Sequence, residues 1–449
     1  MWRFADRDDL QQLVRSVRSI ARGPAVAEKA QLADAFAEAG VAELLREPED
    51  GDSVAGPKNL ARALAAFELA WVDGGAAEVL DTGRTRLTVA LTTAAKLLGA
   101  VEPILRHRRG RDPDENADAL HRLVDVWATG EAGAALGFAA ARLLDERDPT
   151  GKRTDENASA LAAVVAPASE LWNVDHGAPM MREAVRLAGN ERSAEGLGAA
   201  SQDRETLLRR QLAAAMTGEV FLAPFRQWIP ELRQLAGRRP GTGACNLASA
   251  MDLWLWTLRY LMGAKDAAGE ALFGDARPGV PFAMADALGW LLAARAQLLD
   301  LVELAEKGPA NPALAPALPG SVDVLSDLCR VQIARAAGEV GRIGAELVFG
   351  YHRHPSWETD ADACYRPEDL EALEGIIPGI GGYAVATGDV IAADGSHPPK
   401  AGPCVRFVGM ETFCRLRTKL DGCLTGARLA KDRAARALAE MTIPDEHHE

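Results

Sequence analysis

Apolar residues in this chain recur at steps near three and four rather than in alternation. Leu60, Leu64, Phe67, Leu69 and Trp71 form one such stripe, which Asp73-Gly74-Gly75 ends. A second runs from Arg84 to Leu105, closed by Gly110-Arg111-Asp112-Pro113. The same spacing predicts helices over 115–147, 156–172, 177–189, 203–236, 246–264, 280–306, 321–350, 367–374 and 406–441. The fold class that follows is all-α: two packed up-and-down helical bundles. The one candidate for strand is Tyr383 to Asp394, as a short hairpin or an extended loop. Arg238-Arg239-Pro240-Gly241-Thr242-Gly243 reads as a boundary, giving a helical domain over 1–239 and a second bundle over 240–449 with a loop-rich segment 351–405. Helices 84–105, 115–147 and 177–189 are echoed in order by 246–264, 280–306 and 321–350, though Ala-rich helices resemble one another by composition alone.

Charge narrows the partners. Fifty Lys+Arg against 64 Asp+Glu give a net charge of −14, and such a surface repels a polyphosphate backbone, so nucleic acid is not expected. The apolar stretches read as too short to cross a bilayer, and the start MWRFADRDDL has no apolar signal core, which predicts a cytoplasmic protein with no membrane partner. Six cysteines without a Cys-x-x-Cys pair predict neither a disulfide nor a structural zinc, with mostly buried, reduced thiols.

The segment Asp175-His176-Gly177-Ala178-Pro179-Met180-Met181-Arg182-Glu183-Ala184-Val185-Arg186-Leu187-Ala188-Gly189 resembles the late C-terminal helix of acyl-CoA dehydrogenases. Glu131 to Asp148 resembles a preceding bundle helix of that family. Leu32 to Leu45, the PEDG of Pro48 to Gly51, and Phe67-Glu68-Leu69-Ala70 resemble its opening helical domain. The resemblance spans residues 1–215 and implies bundles like those of the family's C-terminal domain, with FAD as cofactor and a thioester substrate.

The chain departs from that pattern in three places. Family members carry a β-domain between their helical domains, and here the helical pattern leaves no room for one. Where the family's helix ends in a glycine-rich turn toward the flavin, this chain reads Gly189-Asn190-Glu191-Arg192. Sliding the family's base motif onto Ser201 to Gln211 puts Gln202 in the base position, and a neutral amide cannot accept the α-proton. The reading that follows is a degenerate relative without flavin or catalytic base, serving as a non-catalytic partner or scaffold subunit. It would form a homodimer or a heteromer with a flavin-containing acyl-CoA dehydrogenase, with acyl-CoA as a possible ligand. The alternative is an enzyme on a CoA- or carrier-linked substrate, with or without FAD, drawing on Glu183, Glu191, His352 and His354.

Other groups have both a functional and a plain reading. His352, His354, Cys364 and His397 could converge on a transition metal, whereas loop histidines more commonly cap helix ends. Trp254, Trp256 and Trp290 could line a ligand pocket or simply pack a core. Gly243-Ala244-Cys245-Asn246 could offer backbone N–H groups to an anion, or be a helix start capped by Asn246. Cys414 and Cys423 are expected to face a core. The small residues of 419–435, Gly426 and Ala427 among them, read as a packing or subunit-contact helix.

Overall fold

The computed structural model describes residues 4, 7–23, 29–41, 45, 58–72, 87–108, 113–146, 156–189, 202–265, 270–312, 315–350, 410–422 and 424–440. Of these, 87% are helical and none lies in a strand, so the fold is all-α, a set of packed helices. An isolated bridge between Lys265 and Ala271 is the nearest approach to a sheet. The stretches 367–374 and 383–394 fall outside the described residues.

The helices are α1 Asp8–Ala21, α2 Lys29–Glu38, α3 Asn59–Val72, α4 Leu87–Gly99, α5 Val101–Arg108, α6 Pro113–Glu146, α7 Glu156–Trp172, α8 Ala178–Leu187, α9 Gln202–Ala215, α10 Glu219–Arg238, α11 Ala244–Gly263, α12 Gly279–Lys307, α13 Leu318–Phe349, α14 Met410–Gly422 and α15 Ala427–Glu440. Five of the expected helices differ from those observed. The run 84–105 splits at Ala100, where Pro103 has no N–H to donate back to Gly99. The run 203–236 splits at Gly218, whose extended backbone (ψ 135°) starts α10. The run 406–441 splits before Gly426, held at φ +76°. The two helices 156–172 and 177–189, by contrast, are joined into one rod by a π turn, Asn173–Gly177.

The long helices α6, α12 and α13 pack on one another and carry most of the apolar interior. Side chains from both sides of residue 239 share that core, from Phe4 to Leu420. α6 is placed against α4 by glycine. A Cβ on Gly130 would stand 2.9 Å from Leu98, and one on Gly137 would stand 2.6 Å from Leu91, so both leucines occupy space that only glycine leaves. Polar groups fix the ends. Asp145 at the end of α6 accepts the backbone N–H groups of Asn59 (2.8 Å) and Leu60 (3.0 Å), which have no partner within α3. Arg18 on α1 donates twice to Glu68 on α3, both at 2.9 Å.

Two expectations are corrected, for Cys414 and for the apolar segment 279–310, while 419–435 takes the packing one of its two readings. Cys414 is exposed, as is Cys245, while Cys329 is buried; Cys414 lies on the solvent side of α14, opposite the buried Phe413 and Leu420. The segment 279–310 is long and apolar enough to cross a bilayer, although 72% of its apolar window is buried among the other helices. The small face of α15 packs within the chain: Ala430, Ala434, Ala435 and Leu438 are buried against α6 and α13. Gly426 meets Arg330, whose Nη2 would stand 2.8 Å from a Cβ there and donates to the Thr425 carbonyl at 3.0 Å.

Candidate functional site

The π turn follows from the spacing of inward positions. Val165, Ala168 and Trp172 are buried before it, Gly177, Met181 and Ala184 after it, with steps of three, four, five, four and three. The step of five matches one extra residue inserted into an otherwise regular stripe, and an i→i+5 turn absorbs it. Room for the turn comes from small neighbours. A Cβ on Gly133 would stand 2.9 Å from Asn173 Oδ1, and one on Gly177 would stand 2.7 Å from Thr93 Cγ2.

At this turn His176 lies between two indoles. Its ring centre is 4.4 Å from that of Trp172 and 4.5 Å from that of Trp290, and the two indoles meet edge to face at 4.8 Å. Arg335 of α13 sits over the Trp290 ring at 5.3 Å and donates to Thr129 Oγ1 at 2.9 Å. Burial pushes the His176 pKa down to about 3, and the nearby Arg335 and Arg209 charges push the same way, so its imidazole is neutral at pH 7.

Beside it, one arginine serves three carboxylates from three elements. Arg209 of α9 donates through Nε to Asp286 of α12 at 2.9 Å, through Nη1 to Glu205 at 3.4 Å, and through Nη2 to Asp175 of the π turn. One positive charge cannot satisfy three negative ones at once. Burial raises Asp175 to about 6 against the opposing pull of Arg209, with Asp286 and Glu205 adding to the rise. Burial likewise raises Asp286. Arg204 and Glu170 form a separate fork between α9 and α7, with Nε to Oε1 at 2.6 Å.

Asp175, His176, Asp286, Trp172, Ala168, Leu171 and Gly289 line a crevice of about 10 Å³, room for one water-sized group. Buried polar atoms gather nearby: Trp172 Nε1, Ser169 Oγ and Asn173 Oδ1 have no hydrogen-bond partner among the described residues. Chemically, the crevice offers a carboxyl that titrates near neutrality, a neutral imidazole, a second carboxylate and one indole wall, Trp172. No group of three or more His, Cys, Asp or Glu among the described residues is arranged to hold a metal ion.

The residues singled out from sequence stand elsewhere. Glu183 lies on α8 in ion pairs with Arg122 (3.3 Å) and Arg186 (3.6 Å), away from the crevice. Gln202 is the first residue of α9, its side chain outside the described set. Glu191, His352, His354, Cys364 and His397 also lie outside the described residues. The three tryptophans do not form one cluster. Trp254 packs on Phe225 and donates to the Met284 carbonyl at 3.0 Å, Trp256 stacks on Tyr260, and Trp290 packs behind His176 of the crevice. α11 starts on Gly243, at φ +85°, with no side-chain cap, rather than on Asn246.

Sequence reading missed Asp175 and His176 as site residues, and Arg209 and Asp286 with them. The five-residue step between Trp172 and Gly177 was the available signal; the pairing of Arg209 with Asp175 and Asp286 has no local one. No family model matches the chain, and neither a curated protein nor a solved structure matches it.

Proposed function

We propose that the chain is a helical partner or scaffold subunit that works by association and carries no flavin chemistry of its own. The observation that carries this reading is the turn after α8. Where the resemblance to acyl-CoA dehydrogenases puts a flavin-facing turn, Gly189 (φ +71°) is packed against His107 of α5, whose Nε2 would lie 2.9 Å from a Cβ at Gly189. An isoalloxazine needs that backbone open. The crevice at the π turn, with room for one water-sized group, adds support. The resemblance supplies the partner class: a second copy, or a flavin-containing acyl-CoA dehydrogenase.

Because the small face of α15 is used within the chain, association through that helix falls to its outer residues. Leu429 on α15 is 62% exposed, and Leu424, in the turn before it, 43%. Light scattering on the size-fractionated protein from its native host tests this. A defined dimer or heteromer that Leu429→Lys weakens at least about tenfold, with melting unchanged, is the expected result. A stable monomer at micromolar concentration, with no companion chain, overturns the reading.

One observation favours the enzyme reading instead. A carboxyl with a pKa of about 6 beside a neutral imidazole is the pairing that general acid–base chemistry uses. Proton exchange from a thioester α-carbon that Asp175→Asn abolishes would establish it.

A further inference from the structure

The crevice at the π turn has features that holding helices together does not require. Gly289 lies in the middle of α12, a helix otherwise rich in Ala and Leu, with ordinary helical backbone. Nothing stands within 4 Å of where its Cβ would be, so alanine would fit there without a clash. Glycine in a helix interior costs about 1 kcal/mol against alanine. What Gly289 provides is space in the crevice wall.

The groups around that space are mostly acceptors. Asp175 and Asp286 each give one oxygen to Arg209, Oδ2 and Oδ1 respectively, and their other oxygens accept from no described residue. Neutral His176 presents an imidazole between the aromatic faces of Trp172 and Trp290. The ionisable groups facing the crevice come from every element around it: Asp175 from the π turn, Glu205 and Arg209 from α9, Asp286 from α12 and Arg335 from α13, with Glu170 and Arg204 already paired to each other. Three carboxylates against Arg209 and the more distant Arg335 leave the site short of positive charge.

We infer that this crevice binds the primary ammonium end of a slender alkylamine. An ammonium group is about the size of a water molecule, carries N–H donors for Asp175 and Asp286, and is attracted to the aromatic wall of Trp172. Ala168 and Leu171 in the crevice lining give its alkyl stem an apolar surface. A quaternary ammonium lacks those donors and exceeds the space. The inference rests on the crevice alone and stands or falls apart from the partner reading above.

Tryptophan fluorescence of the full chain, titrated with n-butylamine and with tetramethylammonium, tests it. The expected result is saturable binding of n-butylamine only, weakened at least about tenfold by Asp175→Asn and by Gly289→Ala. Gly289→Ala fills the space while favouring the helix, so it should melt no lower than the parent, which separates lost binding from lost fold. Binding should also weaken as pH falls through about 6, where Asp175 takes up the proton that the amine would displace. No saturable response to n-butylamine, equal response to tetramethylammonium, or undiminished binding by Gly289→Ala would each overturn the inference.

Discussion

At the scale of single residues, the interior holds amides that the surrounding helices leave unpaired. Gln332 on α13 is fully buried, and neither its Oε1 nor its Nε2 has a partner among the described residues; Gln297 on α12 is in the same position. An unpaired buried amide costs about 1–3 kcal/mol. Gln332→Met keeps the volume and removes the polar atoms, so urea unfolding should show the variant more stable by on the order of 1 kcal/mol. His176 makes the acid dependence testable. Its folded pKa of about 3 lies below the ordinary 6.5, so the stability it contributes is full above pH 6.5 and lost as pH falls toward 3. Asp175, raised to about 6, has the opposite sign: its contribution is full below the ordinary carboxyl value of 3.8 and lost as pH rises through 6. His176→Phe keeps the aromatic stack and removes the imidazole's titration. Its stability relative to the parent should therefore rise by on the order of 1 kcal/mol between pH 7 and pH 5; a difference that does not change with pH would contradict the assignment. Neither buried glutamine was legible in the sequence, because a polar residue in an Ala-rich helix reads as solvent-facing until its neighbours are known.

At the scale of elements, helix type and rough position were legible because steps of three and four survive any packing. The breaks were less so. Pro103 and Gly218 carry local signals, but each interrupts a stripe that stays apolar on both sides, and the stripe dominated the reading. The π turn was hidden for the opposite reason, since it preserves the stripe by lengthening one step to five between Trp172 and Gly177. Deleting Val174 returns the spacing to three, four, four, four and three. The packing of α7 and α8 then needs no π turn. The deletion variant should stay folded, with helical circular dichroism retained and a loss below about 2 kcal/mol. Its tryptophan fluorescence should change, because His176 no longer sits against Trp172 and Trp290. Wholesale unfolding on deletion would mean that the turn serves the core rather than the crevice.

At the scale of the whole molecule, the long helices α6, α12 and α13 form the shared apolar interior, and glycines on α6 set how closely α4 can approach. The all-α class was legible from periodicity. The crevice was not, because Asp175, Arg209 and Asp286 are far apart in the chain and meet only when α7, α9 and α12 pack. The small residues near Gly426 were legible as a packing or subunit-contact face, but not which of the two, since a stripe of alanines does not reveal which helix lies against it. The proposal that matters most is that this chain associates and does no flavin chemistry. The visible absorption spectrum of the full chain, after incubation with excess FAD, removal of free cofactor and addition of acyl-CoA, tests it most directly. The account predicts no retained flavin band; a stoichiometric band that bleaches on acyl-CoA addition would contradict it.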